Sequence, residues 1–239
     1  MAAVPNDVRL DSDELVIEGV RVSFQRTLRI PEHGVHALPP GLGRFPLRQV
    51  ADYPDTAPAA WLEKGGVMLP VYQREAMWLS FSAEIPAALK IGVGKVCAVS
   101  GATWSDSLSQ EQQNYLAVPL QPWLDGINSG DGTVRQFVAV RHGLGATVEG
   151  QVTGRETQGG VQLAVHALTP EARSRWEEEQ KNRPMDLYFA EAAPMAVGGM
   201  GIGAGGTMRQ EIYDDERPLT DYAAQESRVF VHLCSASQW

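Results

Sequence analysis

Residues 65–101, GGVMLPVYQREAMWLSFSAEIPAALKIGVGKVCAVSG, decide how the rest of the chain is read. They hold three apolar runs, at 67–72, 76–81 and 88–99, each bounded by Gly, Pro or polar residues. Runs rich in Val, Ile and aromatic side chains between such breaks read as strands with at least one buried face. The expectation is a β-rich core with this block at its middle.

Working outward, Val20, Val22, Phe24, Leu28 and Ile30 share one parity, while Arg21, Ser23, Gln25, Thr27 and Arg29 take the other. Alternation of period two puts one face in a core and the other in water. Arg26 falls on the apolar parity, so a bulge, or a side chain reaching out past a sheet edge, is expected there. Residues 1–13 are polar and read as a flexible N-terminus. Residues 31–46, PEHGVHALPPGLGRFP, are too dense in Pro and Gly to hold regular structure.

Downstream of the central block, residues 58–64 read as a turn or two of helix ended by Gly65, and 106–114 as a short polar helix. Residues 125–133, DGINSGDGT, are turn material leading into a strand at 134–140. Residues 147–153 and 161–168 flank TGRETQGG and read as a hairpin. Thr169-Pro170-Glu171 opens a polar surface helix through Asn182, because Thr caps, Pro suits the first turn and the acid complements the dipole. Residues 185–190 read as a further strand. Residues 228–234, RVFVHLC, are apolar on both parities and belong at the centre of a sheet. A central strand so near Trp239 is what a fragment of a longer chain shows.

No alternation of strand and helix units supports a parallel α/β sheet. The expected fold is mainly β, a β-sandwich of two antiparallel sheets or an irregular barrel, with a few short surface helices. It is read as one β-rich domain over 14–239, with a sub-boundary near 198–206.

A formal charge of −9 and scattered basic residues argue against a nucleic-acid partner, which needs a clustered basic surface. No basic n-region with an apolar stretch follows Met1, and no run approaches a membrane span. A cytoplasmic protein without a membrane partner is expected. Cys97 and Cys234 each sit in an apolar run and read as small buried hydrophobes rather than a disulfide framework. No cofactor is expected.

The candidate sites are few. Gly201, Gly203 and Gly206 match GxGxxG, but no long helix follows, so a turned loop outweighs a phosphate cradle. Asp125, Asn128 and Asp131 offer hard oxygens to calcium without the full ligand count, and His33 and His36 form an HxxH without a partner acid. Lys95 shares parity with Leu89, Ile91 and Val93, which in a regular strand buries an activated ammonium; a slip at Gly92 or Gly94 turns it outward. Glu75 is its candidate acidic partner in a cleft.

RTLRIP at 26–31, LPPGLGRFPL at 38–47, YQREAMW at 72–78, QPWLDGI at 121–127, RQFVAV at 135–140, TVEGQVTG at 147–154 and RQEIY at 209–213 together resemble a family of uncharacterised bacterial proteins, over most of the chain. The resemblance implies a bacterial, cytosolic origin and assigns no activity. The favoured reading is a non-catalytic binding or assembly module, engaging a protein partner or itself. The alternatives are an enzyme with a cleft around Lys95 and Glu75, and a metal- or calcium-dependent binding protein.

Overall fold

The computed structural model describes residues 8–182, 207–237 and 239. In chain order the strands are β1 (Val8–Asp11), β2 (Glu14–Ile17), β3 (Val20–Thr27), β4 (Val35–His36), β5 (Arg48–Gln49), β6 (Val67–Val71), β7 (Ala76–Ser82) and β8 (Ala87–Val93). They continue with β9 (Val96–Cys97), β10 (Leu116–Val118), β11 (Trp123–Leu124), β12 (Gly126–Gly130), β13 (Thr133–Val138), β14 (Val161–Ala167), β15 (Thr207–Arg209) and β16 (Ser227–Ser235). The helices are α1 (Ala59–Lys64), α2 (Val148–Thr153) and α3 (Pro170–Lys181).

One sheet runs β1-β2-β3-β7-β13-β15-β4, with β11 on β7 and β12 on β13; the other runs β10-β8-β14-β16-β6-β5, with β9 on β8. Neither closes into a barrel. The fold is mainly β, as the apolar runs imply, and most pairs are antiparallel. Two are parallel, β4 with β15 and β6 with β16, so both sheets are mixed. Leu15, Phe24 and Leu79 from the first sheet share one core with Leu69, Leu89 and Leu163 from the second, each fully buried. Among the described residues no helix is long and apolar enough to cross a membrane.

The alternation at 20–30 forms β3, whose register against β7 is unbroken from Arg21↔Ser82 to Thr27↔Ala76. Arg26 therefore makes no bulge. Its guanidinium lies 4.5 Å from the centre of the Phe45 ring and 3.2 Å from Glu75, so a cation–π contact and an ion pair satisfy it on the apolar parity.

Four local expectations fail for identifiable reasons. Residues 8–11 are not loose: β1 and β2 form a hairpin through Ser12, at a positive φ of 58°. The segment 147–153 is helix, not strand. Thr147 Oγ1 accepts from Gly150 N at 3.0 Å and Gly154 closes the turn in the left-handed region, so capping at both ends overrides the β-branched residues. The hairpin is thereby lost, and β14 instead sits between β8 and β16. Residues 106–114 form turns, because Asn114 spends its side chain on Ser107 O (2.9 Å) and Ser109 N (3.0 Å), a local alternative to helix. The strand expected at 185–190 and the boundary at 198–206 lie outside the described residues.

Candidate functional site

The residues singled out from sequence are placed apart. β8 stops at Val93; Gly94 and Lys95 form the turn into β9, and Lys95 is exposed. Glu75 precedes β7, where its carboxylate accepts from Tyr72 N at 2.8 Å and pairs with Arg26. Asn128 accepts from Gly130 N within its own turn and donates to Val99 O just past β9, while Asp131 is exposed at the hairpin tip. Asp125 is buried; desolvation pushes its carboxyl up to about 7, against a hydrogen bond from Trp123. His36 Nε2 lies 2.9 Å from the His33 carbonyl oxygen. Among the described residues no three His, Cys, Asp or Glu converge as metal ligands. Gly201, Gly203 and Gly206 lie outside the described residues.

What the fold builds instead is a cleft of about 780 Å³ between the two sheets at one end. That lies within the ~300–1,000 Å³ typical of small-molecule sites. Met77 (β7), Ile127 (β12) and Phe137 (β13) line it from the first sheet, and Val93 (β8), Val161 (β14) and Leu233 (β16) from the second. All six belong to, or pack on, the main core. The lining is apolar because it is the core-facing parity of each strand, continued to where the sheets part.

One side wall is aromatic. Trp61 of α1 stacks on His232 with ring centres 4.8 Å apart, and His232 Nε2 lies 2.9 Å from Gly65 O. Burial lowers the His232 pKa from its ordinary 6.5, despite that hydrogen bond, so the imidazole is neutral at pH 7. Tyr72, at the end of β6, is exposed at the mouth.

The opposite wall is residues 141–160, held by two carboxylates. Glu149, in the first turn of α2, is buried and accepts from Thr157 Oγ1 (3.0 Å), Gln158 N (3.1 Å) and Gly159 N (3.1 Å). Burial alone raises its pKa, but the donors outweigh that and hold it below the ordinary carboxylate range. A Cβ on Gly94, at φ +57°, would lie 2.5 Å from this carboxylate, so only glycine lets α2 seat there. Glu156 accepts from Thr147 Oγ1 (2.6 Å), Thr147 N (3.1 Å) and Gly143 N; the Thr147 hydroxyl leads in lowering its pKa to about 2. Both acids are occupied in shaping the wall.

A second polar cluster lies on the outer face of the second sheet. Lys90, opposite in parity to Leu89 and Ile91, is 1% exposed. Its Nζ donates to Ser105 O (2.5 Å) and Ser107 O (2.8 Å) and lies 4.8 Å from the Trp104 ring centre. Burial lowers its pKa, with Glu226 opposing. Arg228 binds Asp106 at 2.5 Å and also Glu226, whose other oxygen is 3.4 Å from His166 Nε2. Two carbonyls and a ring thus surround the ammonium, and none of these residues lines the cleft.

Sequence reasoning missed the cleft because its residues look like ordinary core. The one usable signal is Arg135 in β13, on the parity of Phe137 and of Ala139 just past the strand, a cation where an apolar residue is expected. Fold and cleft define the class: a mainly-β protein of two sheets with a cleft between them, lined by core-parity apolar side chains and edged by polar ones. The chain matches no protein-family model, no curated protein and no solved structure.

Proposed function

We propose that the protein is a non-catalytic binding module of a bacterial cytosolic system, with the inter-sheet cleft as the seat of a small, largely apolar ligand. The observation that carries this reading is that core-parity side chains of both sheets line one open cleft of about 780 Å³. Apolar surface left open in this way is stabilised by a ligand that removes it from water, at roughly 25 cal/mol per Å² covered. Glu149 on the cleft wall and Glu156 behind it are engaged by backbone and hydroxyl donors, and His232 is held against Trp61 and Gly65 O, which supports binding over catalysis. The test uses N-phenyl-1-naphthylamine, a neutral fluorophore that brightens in apolar sites. Saturable one-to-one binding is expected, and Val140→Trp, at an exposed position of the cleft lining, weakens it while the melting temperature stays within a few degrees. No saturable binding to the intact protein overturns the reading.

A further inference from the structure

The rim of the cleft has a charge its body lacks. Arg29, Arg135 and Arg141 reach it, together with the acids Glu32 and Glu149. Glu32 is paired with Arg29 at 3.1 Å, and Glu149 is consumed by backbone and hydroxyl donors. Ion pairs among the described residues engage Arg21, Arg26, Arg29, Arg44, Arg173, Arg175 and Arg228. Arg135 and Arg141 have none. In a chain of net charge −9, two arginines without an ion pair among the described residues thus reach the cleft.

The two arginines are not equivalent. Arg135 lies within β13, its backbone flanked by Ile127 on one edge and Thr207 on the other. It shares the cleft-facing parity of Phe137, yet its side chain is exposed. Arg141 lies past the end of β13, in a segment that pairs with neither sheet. A guanidinium carried by a strand paired on both sides is aimed before any ligand arrives, which cuts the ordering cost of binding.

We infer that the cleft takes an amphipathic anion, an alkyl carboxylate whose chain lies along Met77 and Phe137 and whose carboxylate pairs with Arg135. The assignment rests on the cleft being a ligand site and adds the ligand's charge and the residue that reads it. A guanidinium offers two parallel N–H donors to a carboxylate, and the neighbouring apolar floor excludes water from the pair.

The experiment displaces N-phenyl-1-naphthylamine from the intact protein with decanoate and with decan-1-ol, which share a chain and differ in the head. Decanoate is expected to act at about tenfold lower concentration, the worth of one charge-assisted contact. Arg135→Gln is expected to remove that advantage while leaving decan-1-ol unchanged, and Arg141→Gln to alter either by less than about twofold. Equal potency of the two competitors on the unaltered protein overturns the head-group assignment and leaves the cleft reading standing. An advantage that survives Arg135→Gln, or that Arg141→Gln removes equally, overturns the role of Arg135. Failure of the fluorophore itself to bind overturns both inferences.

Discussion

Lys90 and Arg135 are both cations on sheet strands, and each sits against the rule of its own face. Lys90 is on the outward parity of β8 and is buried; Arg135 is on the inward parity of β13 and is exposed. The difference lies in what covers them. Residues 104–107 fold over the outer face of the second sheet, Trp104 packing so close that a Cβ on Gly92 would come within 2.7 Å of it. That cover brings two carbonyls and a ring to the ammonium. Arg135 is exposed at the cleft, and no described acid meets the guanidinium. One charge is an internal brace; the other is the one we infer to meet a ligand. Parity alone does not tell a structural cation from a binding one; its cover and its partners do.

The largest effect that sharpens this comparison separates the closed and open ends of the core. Phe24→Ala, at a fully buried position, is expected to cost about 3–5 kcal/mol in urea unfolding. Phe137→Ala opens onto an existing cleft rather than creating an enclosed void, so about 1–2 kcal/mol is expected, with roughly tenfold weaker fluorophore binding. Equal costs at the two sites would remove the distinction between sealed and open core.

Lys90→Met comes next. Ser107 O keeps its bond from Asn114 Nδ2, so one carbonyl, Ser105 O, is stranded, and a loss of about 2 kcal/mol is expected by the same unfolding measurement. Fluorophore affinity should not move.

Glu149→Gln tests the wall of the cleft through pH. The folded-state pKa lies below the ordinary 4.5, so the unfolded chain binds a proton there more readily than the folded one. The stabilisation is complete above pH 4.5 and is lost as pH falls through and below that value. Denaturation midpoints between pH 3 and 6 should show a shallower acid-side fall in the variant, and about 1 kcal/mol less stability at pH 7. An unchanged acid limb would show that this carboxylate does not hold the wall.

The smallest expected change in stability is the most pointed. Arg135→Gln breaks no ion pair and should leave unfolding within about 0.5 kcal/mol of the unaltered protein. A larger loss would place Arg135 in the same structural role as Lys90.

The β character of the chain was legible wherever one face is wet and the other dry, as along 20–30 and in the block at 65–101. It failed where local capping outbid pattern: Thr147 and Gly154 make a helix of VEGQVT, and Asn114 makes turns of a polar stretch that reads as helix. Lys95 faces outward because the turn at Gly94 ends β8 before it can take a strand position, the outcome that Gly92 and Gly94 allow; the buried lysine is Lys90, whose outward parity gives no sign of burial. The cleft was not legible, since Val93, Phe137 and Leu233 have the same composition and parity as residues sealed between the sheets. Only the divergence of two sheets far apart in sequence distinguishes them, and no local pattern encodes it.

The most direct test reads the methionine methyl groups by ¹³C NMR while N-phenyl-1-naphthylamine is added. Met77 is on the cleft floor, whereas Met68 and Met208 are buried away from it. The Met77 methyl signal is expected to shift saturably with the others fixed. A Met77 signal that stays put at saturating fluorophore, or all three signals moving together, would contradict a ligand seated between the sheets.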